Sequence, residues 1–405
     1  MNNIKSIIKR GFASFFAFMV IKTYFRKISI YGEAKKAQNQ AEIYLLSHRN
    51  GAVDGWLYAY ALPKTIFTLA KQLQKNVFIK AVFPGIAIFR KKDSENYKTE
   101  NIAAFKLMLR VLKNKQNSLA IFPEGTSSLG IKHLDFEEGA AQICRSFIRQ
   151  NQESIFITPV AIFYDAPTEL GGKVYIAIGK KNIIDREENI AEIQKIISTK
   201  MEEVLVEYKT QQEQKTAHQT ALILSLYGKK YDYLEVIYQL KKQAEKLAII
   251  AEKIAKYEIQ LPTKLLSYKQ VKIFPDNLYI SLWTVLITSP LVLFSFTCNL
   301  IPIIAGFLAG RKADEEHTIS LFRILAAYPL AILQYVILFL ILACFYGFLY
   351  SLLFIFIVLF LSICGFNLYG AWKKNLFSLI NYRKYPQGKK EFQGLKDELE
   401  KIFSN

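Results

Sequence analysis

Charge is absent from two long stretches of this 405-residue chain. Residues 277–310 hold no charged side chain, and neither do the 49 residues 324–372. The second stretch exceeds twice the roughly 20 residues that a membrane helix needs. That excludes an ordinary soluble fold for the C-terminal third. Cysteine is scarce as well: Cys144, Cys298, Cys344 and Cys364 form no CxxC pair. A disulfide framework is therefore excluded, which fits a main domain facing a reducing compartment. Three of the four lie in apolar stretches, where buried free thiols are expected. No G-x-S-x-G is present, so the serine nucleophile elbow is excluded. Acidic residues are outnumbered, 34 against 53 Lys and Arg.

The basic excess is not evenly spread. Residues 276–405 carry 11 Lys/Arg against 8 Asp/Glu, so nearly all of the +19 net charge lies in the first 275 residues. For a membrane protein the nearest anion is the lipid head group. Phosphorylated substrates would feel the same field. A nucleic-acid binder would be a soluble basic domain without apolar spans, so no nucleic-acid partner is expected. A transporter would need ionisable residues inside its spans, which these stretches lack.

Near the N-terminus, Phe12, Phe15, Phe16 and Met19 repeat at helical spacing within a basic surround. The run is short and no small-residue cleavage site follows it. Residues 1–30 are read as an uncleaved amphipathic helix at the membrane surface. Residues 31–185 alternate apolar runs with helical patterns. Strands are predicted at Ile43–Leu46, Ile66–Leu69, Leu119–Phe122, Ile155–Phe163 and Val174–Ile178, and helices at Asn101–Leu112 and Gly139–Ile148. Such alternation gives a layered α/β domain. Pro159 suggests that its strand is an edge or carries a bulge.

Residues 186–270 read as a helical appendage, because the stretch 186–260 has no proline and Gly228 as its one glycine. Two long helices are expected there, one over 187–208 and one over 233–257. Residues 276–372 read as membrane-embedded hairpins and residues 373–405 as a basic cytoplasmic tail. Pro290, Asn299 and Pro302 interrupt the first apolar block, which suits a re-entrant hairpin over 278–309. The second block has length for two spans over 322–367, with "CFYG" (344–347) as the turn. Arg311, Lys312, Lys373 and Lys374 all stay cytoplasmic only if the crossings are even in number.

Four polar stretches are candidates for chemistry. In "SHRNGAVDG" (47–55), His48 follows a strand and Asp54 opens an apolar segment. Read alone, they admit two readings: a base and its carboxylate partner, or a loop histidine and a helix-start aspartate favoured by the dipole. In "LAIFPEGTSS" (119–128), Phe122, Pro123, Glu124, Gly125 and Thr126 form a tight loop at a strand end, where α/β domains place ligand groups. In "FPGIAIFRKKD" (83–93), Arg90 has the fork that suits a phosphate oxygen pair. "ITPVAIFYD" (157–165) is the fourth.

The order His…Asp, Gly-x-x-x-Phe-Arg, Phe-Pro-Glu-Gly-Thr, Thr-Pro-Val resembles the four blocks of the glycerolipid (lysophosphatidic-acid type) acyltransferase family, over residues 40–180. The later regions resemble a bacterial branch with a hydrophobic C-terminal extension. The resemblance implies acyl transfer from a thioester, on acyl carrier protein or coenzyme A, to a glycerol phosphate. The acceptor it favours is 1-acylglycerol 3-phosphate, with glycerol 3-phosphate and a lyso amino-lipid as alternatives. A non-catalytic lipid-binding protein of the same fold is the rival from another class. The resemblance implies His48 and Asp54 as the catalytic pair and Arg90 on the acceptor phosphate. It further implies that Phe122, Pro123, Glu124, Gly125 and Thr126 help hold the acceptor. No metal and no cofactor beyond the thioester co-substrate is implied. The protein is then an integral membrane enzyme with its active-site domain in the cytoplasm. Two features depart from the family pattern. Five residues, not four, separate His48 from Asp54, and Gly51 is expected to absorb the extra one as a bulge. Glu137 and Glu138 stand before Gly139, where a basic residue is expected.

Overall fold

The computed structural model describes residues 15–404, except 22, 35–38, 63, 75–79, 81, 84, 92, 186–187 and 228–229. The chain divides into two compact units. The first holds residues up to 21, 28–163 and 174–205; the second holds 22–27, 164–173 and 206–405.

The first unit is built on an eight-stranded sheet of order β1-β7-β6-β2-β5-β3-β4, with β8 also paired to β6. The strands are β1 (Phe25–Tyr31), β2 (Glu42–Leu46), β3 (Thr65–Ala70), β4 (Ile86–Ile88), β5 (Ser118–Ile121), β6 (Ile155–Tyr164), β7 (Gly172–Ile178) and β8 (Asn182–Ile184). β2 pairs in parallel with β5 and β6, and β3 with β4 and β5. All residues of β2 and β5 are buried. Central parallel strands are covered on both faces, which is why they read as unbroken apolar runs. The longer helices described in this unit are α1 (Val53–Ala61), α2 (Ile102–Asn114), α3 (Gly139–Asn151) and α4 (Ile190–Val204). The sheet is thus α/β in class, and its parallel core aims four strand ends at one edge.

Three features differ from the sequence expectations. Helix is present at residues 15–21, but Phe25–Tyr31 is strand β1, so the helix read through residue 30 ends earlier. "ISIY" alternates in the strand period, and that overrides the helical spacing upstream. The residues 1–14 of that expected helix, and Lys22, lie outside the described residues. Next, α4 is not part of an appendage. Ile193, Ile197, Met201 and Val204 sit in the same core cluster as Cys144 and Phe147 of α3. Lastly, of the edge or bulge that Pro159 suggests, the edge is excluded, because β6 lies between β7 and β2. The missing N–H falls opposite Gly179, where the partner strand has left β7 at Ile178 and not yet restarted as β8 at Asn182. The Pro159 carbonyl still accepts from the Gly179 N–H at 2.8 Å.

The second unit is helical. It contains α5 (Gln211–Leu226), α6 (Tyr233–Lys242), α7 (Lys246–Gln260), a two-stranded ribbon of β9 (Ser267–Tyr268) and β10 (Val271–Lys272), and then α8 (Leu278–Cys298), α9 (Leu300–Gly310), α10 (Ile319–Tyr346), α11 (Phe348–Lys384) and α12 (Gly388–Ser404). The single helix expected over 233–257 is two, α6 and α7, and α5 had no counterpart. The expected tail is not a free segment. α11 runs on to Lys384, and α12 buries Phe392, Leu395, Leu399 and Phe403. The Phe392 ring lies 6.0 Å from Tyr227 and 6.1 Å from Tyr257.

The apolar helices reverse three times. Trp372 Nε1 donates to Ser289 Oγ at 2.8 Å, Ser295 Oγ donates to the Leu361 carbonyl at 3.3 Å, and Asn299 Nδ2 donates to Ser362 Oγ at 3.2 Å. As the α8 numbers rise the α11 numbers fall, so these helices are antiparallel. A Cβ at Gly306 would meet the Arg323 carbonyl at 3.0 Å and Ala327 Cβ at 3.1 Å, and one at Gly310 would meet Arg323 Cγ at 2.7 Å. The Tyr335 hydroxyl donates to Asn299 Oδ1 at 3.0 Å. Hence α9 runs back along α10. The chain turns first at Asn299, then over 311–318 between α9 and α10, and again at Gly347, whose φ is +79°. Pro290 stays inside α8, and Pro302 falls in the first turn of α9, where a missing N–H is tolerated.

Candidate active site

Parallel pairing places the ends of β2, β5, β3 and β4 at one edge of the sheet, where such folds hold ligands. The chain leaving β2 is pinned before it turns. Ser47 N–H donates to the Val160 carbonyl at 3.0 Å, and Ile162 N–H donates to Ser47 Oγ at 3.0 Å. The Tyr58 hydroxyl closes the same point from α1, donating to the Ser47 carbonyl at 3.0 Å.

His48, Arg49 and Asn50 then form a short loop, and Gly51 takes φ +56°. That left-handed step suits glycine. α1 starts at Val53, so Asp54 lies in its first turn, near the positive end of the dipole. Its carboxylate points back over the loop. One oxygen, Oδ2, meets three nitrogens: His48 Nδ1 at 2.9 Å, Arg49 N–H at 2.7 Å and Asn50 N–H at 2.8 Å. The two readings open at the sequence level are therefore not exclusive in geometry. Asp54 shapes the loop and also orients the imidazole. Asp54 is fully buried, whereas the His48 side chain keeps 17% of its surface exposed. No partner for His48 Nε2 is present among the described residues.

The Phe-Pro-Glu-Gly-Thr stretch follows β5. Gly125 N–H returns to the Phe122 carbonyl at 3.1 Å, with Gly125 at φ +67°. A Cβ there would have room, so the dihedral is what calls for glycine. The Phe122 ring lies 4.3 Å from the His48 ring. Glu124 is buried, and both its oxygens meet main-chain donors: His48 N–H at 2.9 Å and Leu134 N–H at 3.1 Å. Burial raises its pKa, and those two hydrogen bonds oppose the rise. Ser128 N–H donates to the His48 carbonyl at 3.0 Å, so the two loops are tied twice. Glu124 thus presents itself as a strut under His48, a role no local pattern reveals because its partners are 76 and 10 residues away. Pro123 is buried and its carbonyl accepts from Glu137 N–H at 2.8 Å; Thr126 is half-buried.

Arg90 follows β4 on the same edge. β4 stands three places from β2 in the sheet, about 14 Å at usual strand spacing. Its fork is engaged by Asp93: Nε to Oδ2 at 2.8 Å and Nη2 to Oδ1 at 2.9 Å. Nη2 also reaches Gln72 Oε1 at 3.4 Å. Among the described residues Nη1 has no acceptor. So the structure gathers His48, Asp54, Phe122 and Glu124 into one cluster and leaves Arg90 at the far side of the same edge.

Other nucleophiles do not compete. Cys144 is fully buried in α3, and burial pushes its thiol up to about 12. Cys298, Cys344 and Cys364 lie on the apolar helices. Among the described residues no group of three or more His, Cys, Asp or Glu side chains is arranged to hold a metal ion.

Residues 27–163 match the family model described as Acyltransferase, about a third of the chain. No curated protein matches. Among solved structures, the chain is similar to the 1-acyl-sn-glycerophosphate (LPA) acyltransferase PlsC from Thermotoga maritima. The two are 19% identical with a TM-score of 0.35, over 47% of this chain and 76% of that one.

Proposed function

We propose that the acyltransferase domain at residues 27–163 moves a fatty acyl group from a thioester to the hydroxyl of a glycerol phosphate. The observation that carries the reading is the His48–Asp54 pair. Nδ1 is committed to a buried carboxylate at 2.9 Å, while Nε2 stays open at the exposed edge of a parallel sheet. That is the arrangement a general base needs. Nε2 takes the acceptor's hydroxyl proton as its oxygen attacks the thioester carbonyl. A C–O bond forms, the C–S bond breaks, and the imidazolium returns its proton to the leaving thiolate. Asp54 holds the ring in the productive tautomer and stabilises its charged form. The family match supports acyl transfer as the reaction class.

The acceptor proposed is 1-acylglycerol 3-phosphate, and the donor acyl carrier protein or coenzyme A. Arg90 Nη1 is the proposed phosphate contact, with Asp93 fixing the fork. Purified protein in lipid, given a panel of glycerol-phosphate and amino-lipid acceptors with both thioesters, tests this by product mass. Acylated 1-acylglycerol 3-phosphate is the expected main product. Arg90→Lys should raise KM for that acceptor several-fold and leave the donor KM unchanged. No acylated product from any acceptor would favour the non-catalytic rival.

Among the described residues three helices, Leu278–Cys298, Glu316–Tyr346 and Phe348–Lys384, are long and apolar enough to cross a membrane. We take α8–α9 as a re-entrant hairpin and α10–α11 as a full one. Support comes from the reversals at Asn299 and Gly347. Ser362, level with Asn299, lies ten residues from Trp372, about 15 Å along α11, or half the depth of a roughly 30 Å core. The basic residues Arg311, Lys312, Lys373 and Lys374 then share one face, the cytoplasmic one. The domain bearing His48 is placed on that side because acyl thioesters are made there. In a cysteine-free background, Asp314→Cys and Lys389→Cys should both label from the cytoplasmic side of sealed vesicles. Labelling of Asp314→Cys from outside alone would leave a simple span instead.

A further inference from the structure

The second unit contains a set of cations that outnumbers its acids. Residues 22–27 and the turn 164–173 belong to this unit, together with the end of α11. Two carboxylates serve the group. Asp165 Oδ2 pairs with Lys269 Nζ at 2.6 Å, with both side chains buried, and Asp165 Oδ1 accepts from the Lys173 main-chain N–H at 2.7 Å. Glu169 pairs with Lys373 Nζ at 3.1 Å. A third acid, Asp276, acts on Lys374 from further away.

Arg26, Lys173 and Lys374 remain without a carboxylate partner. Lys374 Nζ donates to the Leu226 carbonyl at 3.2 Å and stands 4.6 Å from the Tyr227 ring centre. The Arg26 guanidinium and the Lys173 ammonium have no acceptor among the described residues. Arg26 lies directly on α11: a Cβ at Gly370 would meet its Cδ at 2.7 Å and its Nη1 at 3.2 Å. Burial, then the charge of Arg26, draws the Lys173 ammonium down to about 8; Asp165 opposes this, and Lys269 and Lys27 add to it. Holding like charges together in a partly buried place is unfavourable unless an anion joins them.

Position says which anion. Lys373 and Lys374 are the first charges after the 49 uncharged residues. Tyr369 and Trp372 stack just before them, at 6.2 Å. Tyr and Trp followed by Lys mark the border between hydrocarbon and water, the depth of lipid phosphates. Trp283, Leu286 and Ile287 of α8 are exposed and offer an apolar surface to acyl chains.

We propose that Arg26, Lys173 and Lys374 bind the phosphate of an anionic glycerophospholipid from the bilayer that the apolar helices enter. The arginine fork takes two phosphate oxygens and the lysines act as point charges. The assignment concerns binding and is independent of which acceptor the enzyme acylates.

The full-length protein in neutral detergent is melted with dioleoyl-phosphatidylglycerol, with dioleoyl-phosphatidylcholine, or with inorganic phosphate. The anionic lipid should raise Tm in a saturable way; the other two should not. Lys173→Gln should weaken the apparent affinity for the anionic lipid roughly fivefold, and Arg26→Gln by a similar factor. Without lipid, Lys173→Gln should melt no lower than the parent, since it removes repulsion; a purely structural lysine would show a loss. If Arg26→Gln does not accumulate, Lys173→Gln alone carries the comparison. The proposal is overturned by equal shifts from the two lipids, by equal anionic-lipid affinity in parent and Lys173→Gln, or by inorganic phosphate matching the lipid at equal concentration.

Discussion

His48→Ala should lower turnover by about 10² to 10⁴, the range typical of losing a positioned general base. The same variant should fold almost as well as the parent. The loop bonds at residue 48 are made by its main chain: N–H to Glu124 and carbonyl to Ser128 N–H. Alanine keeps both. Asp54 also keeps Arg49 N–H and Asn50 N–H. What disappears is the ring, its bond to Asp54 and its contact with Phe122. Turnover at saturating levels of both substrates, read beside a thermal melt, separates chemistry from folding. Turnover within tenfold of the parent would remove His48 from the mechanism.

How much of this was visible beforehand depends on locality. β2, β5 and β6 are buried on both faces, so each shows as a continuous apolar run. β1 mixes Arg26, Lys27 and Ser29 into its seven residues, and β4 has three residues in all, so neither shows that run. α5 buries Thr216, Ala217, Gln219 and Thr220 through Leu224, which leaves no clear stripe to read. The break between α6 and α7 falls at Gln243, where neither glycine nor proline marks it.

The site divides in the same way. His48, Gly51 and Asp54 lie within seven residues, but that stretch alone leaves two readings open, and only its order with the three later blocks implies the pair. The strut formed by Glu124 depends on donors at 48 and 134, which only the fold brings together. Arg90 was legible as a cation, but its bond to Asp93 alters what the fork can still offer. Its distance across the sheet from His48 follows from strand order, and the sequence does not state that order.

Asp54 should be nearly as costly to lose as His48, and two variants can tell apart its two roles. In Asp54→Asn the amide oxygen can occupy the place of Oδ2. It can still accept from Arg49 N–H, from Asn50 N–H and from a protonated His48 Nδ1, so the loop should persist. What goes is the negative charge facing the imidazolium that forms as the proton is taken. In template triads a carboxylate-to-amide change of this kind lowers turnover by about 10⁴ with the geometry intact, because the neutral amide no longer fixes the productive tautomer, and a fall of that order is expected here. Asp54→Ala removes the acceptor altogether. Two buried main-chain donors are then left unpaired, each at about 1–3 kcal/mol, so its melting temperature should drop well below that of Asp54→Asn. Turnover should be low in both variants, while stability should fall chiefly in the alanine one. If Asp54 served only as the staple of the loop, Asp54→Asn would keep turnover within tenfold of the parent, and the carboxylate would have no part in the proton transfer.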